Sequence, residues 1–299
     1  MSLAMSEAML DRRAPPAVSV AARMDRLPSS RTIWRLVLLL SIGGFFEYYE
    51  LFSSAYLAPG LVHAGILTPS TQNFFGMTGV AGFVGALFLG LWMGTILFGF
   101  VADRFGRRAI FTWSLLWYSA ASAISALQTD AASLEVWRFI TGLGLGVELV
   151  TIDAYLSELV SKHSRGRAFA FNQSVQFAGV PVVAFVSWLL VPSAPFGVEG
   201  WRWVLLVGAA GALPAWWIRR HIPESPRWLA GRGRLAEAET VVAQLETSIV
   251  QRDGMVLPEP IPQPPASAKS GRVAEIWSRF YAPRTIMLAR THEPCGKYG

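Results

Sequence analysis

Long uncharged apolar runs, separated by short islands of arginine, constrain this 299-residue chain more than any other feature. The run from Gly79 to Ala102 carries no Asp, Glu, Lys or Arg. About 20 predominantly apolar residues are enough for a helix to cross a bilayer. A soluble surface helix would instead alternate an apolar stripe with a charged face. Composition agrees: charged residues make up 15% of the chain and hydrophobic ones 53%, against roughly 25% charged in soluble domains. The chain therefore reads as an all-α polytopic membrane protein whose first partner is the lipid bilayer.

Several function classes drop out at this level. The net charge of +6 does not spread over one aromatic-studded polar face, so no nucleic-acid partner is expected. One cysteine, Cys295, leaves neither an internal disulfide nor a cysteine-cluster metal site. His63, His163, His221 and His292 all fall outside the apolar runs. No nucleophile–base pair or metal-ligand cluster is legible, and neither an enzyme nor a cofactor is expected.

Six spans can be read, at about 34–58, 79–102, 109–127, 133–155, 168–191 and 201–218. Arg12, Arg13, Arg23, Arg26, Arg31 and Arg35 precede the first span. Arg104, Arg107 and Arg108 link the second and third; Lys162, Arg165 and Arg167 link the fourth and fifth; Arg219 and Arg220 follow the sixth. The opposite loops, 62–78, 128–132 and 193–200, contain no Lys or Arg. Excess Lys and Arg marks the cytoplasmic side, so six helices with both chain ends cytoplasmic, in the plasma (inner) membrane, are predicted.

Four segments follow. Residues 1–33 lack a secretory signal's apolar core, and Glu7, Asp11 and Asp25 argue against an organelle presequence. They are expected to form a disordered cytoplasmic tail, in which Met24 is an alternative start. Residues 34–220 form the bundle. Residues 221–282 form a cytoplasmic loop, with short helices at 236–249 and 273–280 around a proline-rich linker. At 283–299 a seventh span begins with PRTIMLA and gives way to the polar RTHEPCGKYG, which reads as a frameshift or premature stop.

Inside the first span, FFEYYELF places Glu47 and Glu50 within one helical turn. Charge at membrane depth costs roughly 2.5 to 3.5 kcal/mol per residue on insertion scales, and residues that bear it are functional by default. Counting about 1.5 Å per residue from the outer boundary, Glu50 lies about 12 Å deep and Arg138 of span four about 7 Å. An arginine side chain can bridge that difference, whereas Glu47 sits deeper and fits less well.

The cytoplasmic islands carry the most specific patterns. Gly99-Phe-Val-Ala-Asp103-Arg104-Phe-Gly106-Arg107-Arg108 makes a tight charged turn, in which glycine permits close helix approach and Asp103 can cap the next helix. Arg138-x-x-x-Gly142-x-Gly144-x-Gly146 follows, then Tyr155-Leu-Ser-Glu158 with Arg165-Gly166-Arg167, and finally Pro223-Glu224-Ser225-Pro226-Arg227-Trp228-Leu229. In this order, over roughly residues 30 to 285, these motifs resemble the major facilitator superfamily, especially its sugar porters and metabolite–proton symporters.

The resemblance implies two six-helix bundles around a central site exposed alternately to each side. It implies proton coupling at Glu50 paired with Arg138, with Glu47 as a further candidate; a static ion pair that fixes the helices is the competing reading. It implies an inner gate built from Gly99, Asp103, Arg104, Gly106, Arg107, Glu158, Glu224 and Arg227. Gln173, in FAFNQSVQF, matches a sugar-contacting position, and Gln176 shares its face; interhelical hydrogen bonds are the alternative for both. Glu148 and Asp153 depart from the sugar-porter pattern, where a small residue and a proline stand. Glu148 is therefore a candidate for substrate binding or a second proton site.

The expected activity is secondary transport of a small polar metabolite, sugar or organic acid, with protons as co-substrate. Because the resemblance covers one bundle, three outcomes stay open: an incomplete chain, a half-transporter acting as a homodimer or with a second six-helix half, and an inactive or regulatory membrane protein.

Overall fold

The computed structural model describes residues 19–70, 76–219 and 222–261, together with Ser278, Ala282, Pro283 and Met287. The chain divides into two units, Met1–Gln263 and Pro264–Gly299, and the fold below is that of the first. The predicted helix at 273–280 and the predicted aborted span at 283–299 lie almost wholly outside the described residues.

The described elements are helical throughout. A short α1 (Val20–Asp25) leads to α2 (Arg31–His63), α3 (Gly79–Phe105), α4 (Arg107–Ser125) and α5 (Ala131–Leu159). Then come α6 (Arg165–Phe177), α7 (Gly179–Leu190), a 3₁₀ turn (Pro195–Gly197), α8 (Gly200–Arg219), α9 (Pro226–Gly231) and α10 (Leu235–Asp253). Their ends follow from local chemistry. The Ser30 hydroxyl accepts from the Ile33 amide to start α2, Asp130 accepts from Ser133 to start α5, and Ser225 with Pro226 starts α9. Gly106 alone links α3 to α4 at φ +105°, a conformation that L side chains rarely adopt.

Among the described residues, four stretches are long and apolar enough to cross a membrane: α2, α3, α5, and α6 with α7 taken together. The predicted third and sixth spans are present as α4 and α8 outside these four; α4 is the less apolar of the two, diluted by Arg107, Arg108 and a series of serines. Both pack into the bundle, α4 against α5 and α8, and α8 against α2. The predicted fifth span is divided at Ala178. Pro181 lacks an amide hydrogen and crowds the carbonyl four residues back, at Phe177, which tightens the chain there.

The closest packing joins α3 to α5. A Cβ on Gly90 or Gly94 would strike the carbonyls of Phe139 and Leu143. A Cβ on Gly142 or Gly146 would strike those of Leu87 and Leu91. Glycines on each helix therefore receive the backbone of the other. Gly99 is different: among the described residues nothing lies within 4 Å of a Cβ there.

The N-terminal segment corrects the expectation of a disordered tail for residues 19–33. Val20, Met24 and Leu27 are buried in one apolar cluster with Ile222, Leu229, Leu245 and Ile249 from the segment after α8. The predicted helix at 236–249 is the core of α10, which ends on Gly254 at φ +64°.

Candidate functional site

Arg138 is 0% exposed and Glu50 is 1% exposed, so the two charges meet inside the bundle. One guanidinium nitrogen of Arg138 donates to the Glu50 carboxylate. The other donates to Ser54 Oγ at 2.5 Å and to Ser53 Oγ at 3.3 Å. From α4, Ser122 Oγ donates to the same Glu50 oxygen at 2.8 Å. The Phe83 ring of α3 lies 5.6 Å from the guanidinium carbon, which adds a cation–π contact, and Gly208 of α8 leaves room for the carboxylate. Thus α2, α3, α4, α5 and α8 all surround one ion pair. Its attraction must offset a large desolvation penalty, and a charge left alone there costs about 3 to 5 kcal/mol.

The structure brings Glu50 and Arg138 together. Glu47 is 1% exposed, one turn below Glu50 on α2. Ser53, Ser54 and Ser122 were not singled out in the sequence. The first two stand three and four residues after Glu50, on its side of the helix, which is a usable signal. Ser122 comes from another helix and offers none.

Glu148 is also buried, but it lies at the seam between α5 and α4, where Ser114 Oγ donates to it at 3.3 Å. It is about 15 Å along α5 from Arg138. Gln173 and Gln176 do not act as one face. Gln173 is exposed and donates to the Tyr48 hydroxyl at 2.7 Å. Gln176 is buried against Gly44, where a Cβ would strike its amide. Its neighbour Asn172 is 0% exposed, with neither amide atom hydrogen-bonded among the described residues. Around Gln173 the rings of Tyr48 and Phe177 approach to 5.0 Å, and those of Tyr48 and Phe52 to 5.9 Å. Asp153 is exposed and makes no ion pair among the described residues.

At the Arg-rich end, the predicted gate residues do gather, with altered roles. Arg107 binds Asp103 at 2.5 Å and Glu158 at 3.0 Å. Asp103 does not cap α4. Glu224 does, by accepting the amides of Arg107 and Arg108 at 3.0 and 3.2 Å where the helix dipole favours an anion. Arg227 donates to the Glu158 carbonyl at 3.0 Å and to the carboxylate of Asp25, which sequence reasoning had assigned to the tail. The Trp228 indole and Arg232 both donate to the Asp103 carbonyl. Arg104 is exposed and stands over the Phe105 ring.

The site is thus a helical bundle with a buried carboxylate–guanidinium pair and a charged collar at its Arg-rich end. Residues 34–289 match the family described as Sugar (and other) transporter. The chain is 30% identical over 272 residues to the niacin transporter NiaP of Acinetobacter baylyi, covering 91% of this chain and 58% of that protein. It is 31% identical over 248 residues to the inner membrane metabolite transport protein YdjE of Escherichia coli, covering 80% of this chain and 50% of that one. The fold is similar to that of the major facilitator superfamily proton:xylose symporter XylE, with a TM-score of 0.61 at 22% identity, over 74% of this chain and 54% of that structure. The chain belongs to the Sugar (and other) transporter family. These relatives are transporters and not enzymes, and the chain spans about half of their length.

Proposed function

We propose that this chain is the six-helix N-terminal bundle of a proton-coupled transporter for a small polar metabolite, a sugar or organic acid. In this reading α2, α3, α4, α5, α6–α7 and α8 are its spans, with both ends on the cytoplasmic side of the plasma membrane. Transport requires a second bundle, supplied by a following half or by a second copy.

The observation that carries the reading is the buried Glu50–Arg138 pair with its serine shell. Ionised Glu50 holds Arg138; protonated Glu50 tolerates the low-dielectric interior and releases it. Proton binding and substrate binding then bias the same inward–outward equilibrium, which couples the two fluxes. The exposed amide of Gln173, set among Tyr48, Phe52 and Phe177, supplies both donor and acceptor to a polar solute. Glu47 is a second proton carrier on the same helix. Asp103, Arg107, Glu158, Glu224 and Arg227 form the collar that closes the cytoplasmic side.

The test is uptake into proteoliposomes that hold this bundle with a completing second bundle, driven by a proton gradient and offered pentoses, nicotinate and other small organic acids. Gradient-dependent accumulation of one of them supports the reading. Solute movement indifferent to the gradient, with Glu50 intact, overturns the proton coupling.

A further inference from the structure

A cleft of about 440 Å³ opens on the Arg-rich side of the bundle, apart from the buried ion pair. Its walls are the turn between α1 and α2, the loop between α5 and α6, the first turn of α6 and the segment at 258–261. Leu27, Pro28, Pro258 and Ile261 give it an apolar side. Lys162, His163 and Arg167 stand on the other side, all exposed.

The charges here are unevenly matched. Glu246 receives both Arg23 and Arg26. Asp25 receives both Lys162 and Arg227. Among the described residues Arg167 meets a hydroxyl, Ser29 Oγ at 3.4 Å, and no carboxylate. Glu259 lines the cleft but makes no ion pair among the described residues. Of the groups that line the cleft, Arg26, Lys162 and Arg167 stand with Asp25 and Glu259, so cations exceed carboxylates there by one.

Position adds the second constraint. The cleft borders the starts of α2 and α6, where Trp34 and Phe171 meet edge to face at 5.4 Å between centroids. Aromatic residues just inside helix ends mark the depth of lipid headgroups. We infer that this cleft binds a phosphate-bearing anion, with Arg167 and Lys162 as the cationic groups and the apolar side accommodating whatever the phosphate is attached to. Arg167 is the stronger contributor, because its guanidinium can meet two phosphate oxygens at once. Two sources share this chemistry: an anionic lipid of the adjoining leaflet, and free or small-molecule phosphate. The site does not depend on which solute is carried, nor on proton coupling.

The experiment uses the whole chain, purified in detergent. One arm measures retention of phosphatidylglycerol against phosphatidylcholine by native mass spectrometry. The other measures the rise in thermal midpoint with inorganic phosphate against chloride at equal ionic strength. Arg167→Gln and Arg167→Lys are compared with Arg234→Gln, a cation just before α10 that pairs with Glu237. Preferential phosphatidylglycerol retention, weakened about five-fold in Arg167→Gln, less in Arg167→Lys and unchanged in Arg234→Gln, supports the site with lipid as its source; five-fold is the effect expected of one basic side chain near an anionic surface. A phosphate-specific midpoint rise lost in Arg167→Gln supports it with free phosphate as the source. No preference for either ligand, or equal losses in Arg167→Gln and Arg234→Gln, overturns it, since general surface charge then accounts for the binding.

Discussion

Arg227 donates to Asp25 at 2.6 Å across 202 positions of sequence. Both side chains are largely buried, and Asp25 also holds Lys162 at 3.0 Å. One carboxylate thereby fastens α1 to α9 and to the loop between α5 and α6. A hydrogen bond to a charged group contributes about 1.5 to 3 kcal/mol. In Asp25→Asn, amides of residues 19–27 should exchange roughly ten-fold faster, while α3 and α5 keep their protection. Unchanged exchange at 19–27 would show that apolar burial of Val20, Met24 and Leu27 anchors the segment by itself.

The glycine seam between α3 and α5 gives a prediction about stability. Gly142→Ala or Gly146→Ala places a methyl group against the Leu87 or Leu91 carbonyl, and overpacking of this kind costs about 1 to 3 kcal/mol. Gly99→Ala meets no atom of the described residues within 4 Å and should be neutral or slightly stabilising, since alanine restricts the unfolded chain. Thermal midpoints in detergent should therefore fall for the first two variants and hold for the third.

Removing one member of the buried pair should be worse than removing both. Arg138→Met leaves Glu50 alone in the core at a cost of about 3 to 5 kcal/mol, and the double variant Glu50→Gln/Arg138→Met should regain most of it. A double-mutant cycle on thermal midpoints measures the coupling. Additive losses would show that the two side chains are energetically independent.

Acid should loosen α10. Burial pushes the Glu246 carboxyl up, but the guanidiniums of Arg23 and Arg26 outweigh it and hold the group below the ordinary glutamate value. A lowered folded-state pKa means stability that is fully present above the ordinary carboxylate range and lost as pH falls through the folded value. Exchange protection along α10 should therefore drop below about pH 4.5. In Glu246→Gln that drop should be much smaller, with weaker protection already present at neutral pH.

The sequence made some of this site legible because membrane burial singles out charge. Glu50 and Arg138 stand in apolar runs, the family resemblance pairs them, and helix rise puts them at compatible depths. Other features depend on partners distant in sequence. Asp25 resembled part of a polar tail because the cluster that orders it lies beyond residue 220. Glu224 caps α4 from over a hundred positions away, whereas the nearer Asp103 is drawn off by Arg107 one turn later. Gln173 and Gln176 share a nominal face and both meet α2, yet Gln176 is buried against Gly44 while Gln173 stays exposed beside Tyr48.

The pair's role in coupling is tested most directly by proton flux measured alongside solute flux. Proteoliposomes containing the completed transporter, with a pH-sensitive dye inside, report both for the native bundle and for Glu50→Gln. The account predicts that Glu50→Gln abolishes solute-dependent proton entry and gradient-driven accumulation while solute exchange continues. Undiminished proton entry with solute in Glu50→Gln would contradict it, and would reduce the Glu50–Arg138 pair to a fixed strut between helices.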